Sequence, residues 1–230
     1  MNPMDDLVKM QPATAMRPLL GQTVLAVEDS RFACEAIRLV CLRSGARVRR
    51  ADCLQSARRH LRVYRPTIVL IDEGLPDGSG IELIEEVARA GEDGPIVLGI
   101  SADDSRESAA LEAGANGFLV KPLRSLAAFQ NAVLSHLPKE KRPVGPRPVA
   151  NDEIAPEDIA YRDDIAHARH ALAEGRAAYV AQFIAGVAQS VADRALGAQA
   201  QKLAWLPESF EERRKLACLL EERLGERAAI

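Results

Sequence analysis

Several apolar runs of this chain end on groups that could do chemistry. In "VLIDEGLPDGSG" (69–80) the apolar stretch from Ile68 to Ile71 stops directly on Asp72. A carboxylate at the end of a buried run is costly unless it has a partner. "VLAVEDS" (24–30) ends on Glu28 and Asp29, "PIVLGISA" (95–102) leads into Ser101 and Ala102, and "GFLVKP" (117–122) runs into Lys121. If these runs are strands of one parallel sheet, their carboxyl ends are neighbours in space. Three carboxylates, a hydroxyl and a lysine then share one pocket. Carboxylates that close repel one another unless something positive lies among them. A hard divalent cation with oxygen ligands fits, and Mg²⁺ keeping several waters is the natural choice. Lys121 adds a fixed point charge suited to a phosphoryl oxygen, and Ser101 offers a hydroxyl donor. Such a set could carry attack of the Asp72 carboxylate on phosphorus, giving an acyl phosphate, with the metal and Lys121 stabilising the transferring group.

The elements that must position these groups are legible from periodicity. Residues 23–28, 46–50, 67–72, 95–100 and 117–120 read as strands, and 30–44, 53–64, 79–90, 103–113 and 124–137 as helices. Ser30 is suited to cap the first helix and Gly45 to stop it. The third and fourth strands are apolar at consecutive positions, as expected where helices cover both faces of a parallel sheet. The expectation is an α/β fold: a five-stranded doubly wound parallel sheet, followed by a small all-α domain.

The pieces "VLAVEDS", "VLIDEGLPDGSG", "ISA" and "FLVKP" stand in the order and spacing of a known family. Residues 22–137 resemble the receiver domain of two-component response regulators. The resemblance implies a flavodoxin-like strand order 2-1-3-4-5, phosphorylation on Asp72 by a sensor histidine kinase or a phosphotransfer protein, and Mg²⁺ held by Glu28, Asp29, Asp72 and the Gly74 backbone carbonyl. It also implies that Ser101 and Lys121 contact the phosphoryl group, that Ser101 and Phe118 form the switch pair, and that the Lys121–Pro122 bond is cis. Taken singly, Glu28 and Asp29 could instead place negative charge at a helix N-terminus. Lys121 could be a surface lysine, and Phe118 a plain core aromatic.

The organisation expected is a tail (1–20), the receiver (21–137), a linker (138–156) and a helical output or interaction domain (157–230). Five prolines between Pro138 and Pro156 make the linker semi-stiff and extended. The tail is acidic early and lacks an apolar core, unlike a signal peptide. No apolar run approaches the ~20 residues of a membrane span. Cys34, Cys41, Cys53 and Cys218 show no metal-binding spacing and read as reduced core cysteines of a cytoplasmic protein.

The net charge of −3 gives no general attraction to nucleic acid. From residue 152 onward ten Arg and Lys stand against fourteen Asp and Glu, which argues against a DNA-binding output. No nucleophile elbow or metal cluster points to a catalytic output, so no separate enzyme is expected. Apolar stripes at Val180, Phe183, Ile184, Val187 and Val191, and at Phe210, Leu216, Leu219, Leu220 and Leu224, have helical spacing. They are expected to pack on each other, with part of the stripe serving a homodimer or a downstream protein partner. Trp205, beside Pro207, is expected in the core or at a hinge. Two alternatives stay open: a transcription regulator with an atypical DNA-binding output, and a phosphorelay protein using His170 or another histidine of a phosphotransfer-like bundle.

Overall fold

The computed structural model describes residues 12–145, 154, 156 and 158–226; the first part of the expected tail and much of the expected linker lie outside them. The described residues fall into two units. One runs up to Asp29 and again from Ala36 to Ile154; the other comprises Ser30–Glu35 and the residues from Pro156 on.

The first unit is built on β1 (Thr23–Val27), β2 (Arg47–Ala51), β3 (Ile68–Asp72), β6 (Ile96–Ser101) and β7 (Gly117–Val120). All neighbours pair in parallel, in the order β2-β1-β3-β6-β7, which is the expected 2-1-3-4-5 arrangement. The connections carry α1 (Arg31–Ser44), α2 (Leu54–Val63), α3 (Gly80–Ala88) and α4 (Glu107–Glu112), and α5 (Leu126–His136) follows β7. One short antiparallel hairpin, β4 (Gly74–Leu75) with β5 (Gly78–Ser79), follows Asp72 and was not expected.

The continuous apolar strands feed two cores because successive side chains point to opposite faces. Val24, Ala26, Ile68, Leu70, Leu98 and Ile100 enter one cluster with Val40, Phe129 and Val133. Leu25, Val27, Val69, Ile71 and Val97 enter the other with Leu54, Leu83 and Ile84. The packed region begins before Gly21: Leu19 is fully buried, and its N–H donates to the Ser44 carbonyl at 2.8 Å. Ile154 is buried in the first cluster, with its N–H on the Arg124 carbonyl at 2.8 Å.

Helix starts follow their capping residues. Ser30 Oγ accepts from Ala33 N–H at 3.0 Å, Ser79 Oγ from Ile81 N–H at 3.2 Å and Ser125 Oγ from Ala128 N–H at 3.1 Å. Helix α1 ends before Gly45, whose φ of +85° suits glycine best.

The second unit holds four helices: α6 (Asp158–Ala173), α7 (Ala177–Ser190), α8 (Arg194–Trp205) and α9 (Phe210–Glu226). Ile165, Val180, Ile184, Leu203, Leu216 and Leu220 form its core. Buried Asp164 is satisfied within this unit, accepting from Ser30 Oγ and Arg31 N–H, each at 2.7 Å, and from Phe32 N–H at 3.1 Å. Helix α7 ends at Ser190, with Val191, the last residue of the stripe, as its C-cap. Ala192 takes φ 58°, and Asp193 caps α8 by accepting from Leu196 N–H at 3.0 Å. The core placement of Trp205 and the place of Phe210 in the packed stripe do not hold. Trp205 is 86% exposed at the last residue of α8, and Phe210 is 80% exposed at the first of α9. Both belong to the turn where Pro207 breaks the helix, which points them away from the shared stripe. Of the four free cysteines only Cys41 is a core residue, and burial pushes its thiol up to about 12; Cys218 is exposed.

Candidate functional site

The β1, β3 and β7 ends bring the expected groups together. Glu28 follows β1, Asp72 closes β3 and Lys121 follows β7. Lys121 Nζ lies 2.7 Å from Glu28 Oε2 and 2.8 Å from Asp72 Oδ1, so one ammonium bridges two carboxylates from different strands. All three residues are buried. Burial and the Asp72 charge push the Glu28 carboxyl up, with Lys121 pulling the other way. Burial alone would lower the Lys121 ammonium, but Asp72 and Glu28 outweigh it and raise it. One ammonium shared at 2.7 and 2.8 Å offsets part of the burial that acts against the Glu28 charge.

Asp29 completes an acidic triad: ligand oxygens of Glu28, Asp29 and Asp72 all lie within 4.8 Å of one another. Opposite ligands around a divalent ion with bonds of about 2.0–2.6 Å are roughly 4–5 Å apart, so this all-oxygen set fits a hard cation such as Mg²⁺. Gly74 stands two residues past Asp72, at the start of β4. Ser101 is one residue beyond Ile100, the register partner of Asp72. Its Oγ accepts from Asp103 N–H at 3.2 Å. Phe118 packs beside the second core and over Gly99, where a Cβ would come within 3.0 Å of the ring. The Lys121–Pro122 bond is cis.

Three supports of the site were not anticipated. The Asp77 carboxylate accepts from Leu54 N–H at 2.8 Å and Gln55 N–H at 3.0 Å, tying the segment after Asp72 to the start of α2. Gly80 N–H donates to the Glu73 carbonyl at 2.9 Å. Glu73 itself is buried and pairs with Arg106 at 3.0 Å; burial pushes its carboxyl up and Arg106 draws it down. Asp77 acts on a helix start more than twenty residues earlier, and Glu73 and Arg106 stand in separate loops, so neither pairing carries a local sequence signal.

The helical unit carries His167 and His170. His170 is 77% exposed at its side chain, with Nε2 3.3 Å from Glu174. His167 shares a 2.9 Å hydrogen bond with the Tyr179 hydroxyl and meets the Phe183 ring edge-on.

Residues 24–133 match the model of the response regulator receiver domain family. The chain is 31% identical over 139 residues to the KDP operon transcriptional regulatory protein KdpE of Escherichia coli, covering 60% of this chain and 61% of that protein. It is 44% identical over 75 residues to the transcriptional regulatory protein CitB of Klebsiella pneumoniae, covering 32% of each. The chain thus spans less than two thirds of the length of either relative. Among solved structures it is similar to the response regulator TrrA of Thermotoga maritima in complex with Mg²⁺ and BeF, at 20% identity and a TM-score of 0.46 over 50% of this chain and 99% of that one.

Proposed function

With residues 24–133 belonging to the response regulator receiver domain family, we propose that this chain is a two-component signalling switch that accepts a phosphoryl group on Asp72. The single observation that carries the reading is the Lys121 ammonium held between Glu28 and Asp72, with Asp29 completing an acidic triad at the same strand ends.

The chemistry follows from the donors present. An Asp72 carboxylate oxygen attacks phosphorus; the new O–P bond forms as the bond to the donor breaks, and the donor leaves with the electron pair. Lys121 is already beside Asp72 and can follow a phosphoryl oxygen. Ser101 can turn its hydroxyl toward the same group. Glu28, Asp29, Asp72 and the Gly74 carbonyl would hold Mg²⁺, which supplies neutralisation of the transferring charge. Movement of Ser101 with rotation of Phe118 would then alter the face around β7. The physiological donor is a sensor histidine kinase or a phosphotransfer protein. The output is the helical unit, acting on a downstream protein partner or through self-association.

Intact mass after incubation with acetyl phosphate and Mg²⁺ tests this. A single phosphoryl adduct is expected in the wild type and none in Asp72→Ala. An adduct that persists in Asp72→Ala overturns the assignment, as does a wild type that takes up none from acetyl phosphate or from a phosphorylated kinase.

A second reading, a transcription regulator, draws support from the names of the relatives KdpE and CitB. The acidic balance of the C-terminal residues speaks against it. Salt-dependent binding to duplex DNA would establish it.

A further inference from the structure

Glu73 directly follows Asp72, and its side chain is only 2% exposed. Among the described residues, neither of its carboxylate oxygens has a hydrogen bond. Its partner is Arg106, with Nε 3.0 Å from Oε2 and a side chain 53% exposed. Arg106 closes the 3₁₀ turn Asp104–Arg106, in the loop that leaves β6 at Ser101. That loop is bonded within itself. Ser101 Oγ accepts from Asp103 N–H, and the Asp103 carboxylate accepts from Ser105 N–H at 3.0 Å and Ser105 Oγ at 2.7 Å. The segment from Ser101 to Arg106 is therefore a hydrogen-bonded piece whose far end is pinned to the residue beside Asp72.

We propose that Arg106 is a positioning residue for phosphoryl transfer, acting through Glu73: from the Ser101 loop it neutralises the buried carboxylate next to the acceptor. The inference rests on Asp72 being the acceptor. Transfer from acetyl phosphate forms the Asp72 O–P bond, breaks the acetyl O–P bond and releases acetate. The product carries about one additional negative charge beside Glu73, since an acyl phosphate of up to two charges replaces a carboxylate of one. A buried, uncompensated carboxylate opposes that charge. Arg106 removes the opposition in the wild type. In Glu73→Gln no charge opposes, and Arg106 loses its task.

The test uses the full chain with Mg²⁺ and acetyl phosphate, following adduct formation by intact mass, and adduct loss once the donor is removed. Arg106→Gln is expected to slow formation by roughly twofold to fivefold, the scale of a partly exposed ion pair. Arg106→Lys restores most of the rate, since the charge returns. Glu73→Gln forms adduct at least as fast as the wild type, and adding Arg106→Gln to it changes nothing further. Thermal melting checks each fold, and the charge-keeping Arg106→Lys and isosteric Glu73→Gln keep the comparison readable if Arg106→Gln is destabilised. Equal slowing by Arg106→Gln with and without Glu73 overturns the inference, because Arg106 then acts on the donor itself. No slowing at all overturns it too. A wild type without adduct, or an adduct that persists in Asp72→Ala, removes the acceptor assignment and this inference together, which separates that failure from the others.

Discussion

The backbone of Gly80 lies so close to Asp72 that a Cβ added there would overlap the Asp72 carbonyl oxygen. The chain leaves β3, makes the β4–β5 hairpin and returns to start α3 against the strand it has just left. A side chain at Gly80 would force β3 or the helix aside. Gly80→Ala is expected to destabilise the first unit by about 1–3 kcal/mol, the usual range for overpacking. It should also lower the rate of phosphoryl uptake at Asp72. Denaturant melting and the acetyl phosphate time course check both; unchanged uptake would mean the Asp72 loop tolerates the shift.

Lys121 makes its ion pairs with the same two carboxylates that would bind a cation. Lys121→Met leaves Glu28 and Asp72 facing each other in the interior. Removing one partner of a buried pair costs about 3–5 kcal/mol, so the melting temperature should fall sharply without metal. Mg²⁺ can then compensate those charges in place of the ammonium. The rise in melting temperature on adding Mg²⁺ is therefore expected to be larger in Lys121→Met than in the wild type. An equal rise in both proteins would mean the acidic triad does not hold the ion.

Trp205 is the only tryptophan and is 86% exposed. Its emission should be red-shifted and readily quenched by acrylamide in the folded protein. Trp205→Ala should change stability by no more than about 0.5 kcal/mol, as for exposed positions in general. A blue-shifted, protected emission would show that something covers the residue in solution.

The five strands were legible because each is a short apolar run ended by a polar group, and parallel crossovers place such ends side by side. Glu28, Asp29, Asp72 and Lys121 converge for that reason alone. The Glu73–Arg106 pair was not legible, since each residue read singly suits a solvated loop. The end of α7 was hidden for a different reason. "AQSVADRAL" contains neither Gly nor Pro, and its apolar spacing carries on past the break. Only Asp193, as a helix cap, marks the new start. The exposure of Trp205 was not legible, because large aromatics are usually covered and composition says nothing about which way a residue beside Pro207 faces.

Asp193 also carries a pH signature. Its carboxylate caps α8 and pairs with Arg223 Nε at 2.6 Å, with side chains 15% and 19% exposed. The Arg223 hydrogen bond, against partial burial and with help from the Leu196 N–H, holds this carboxyl below its usual value. A carboxyl depressed in the folded state binds its proton more weakly there than in the unfolded chain. Its contribution is therefore complete above the unfolded value of about 3.9 and disappears as pH falls through the lower folded value. Asp193→Asn keeps a capping oxygen and loses the charge. The variant should be less stable than the wild type at pH 7, and the gap should close as pH drops below about 4. Denaturant unfolding followed by far-ultraviolet circular dichroism at several pH values measures that gap. A gap independent of pH would mean that Asp193 supports the bundle through its cap alone and that the Arg223 pair adds nothing.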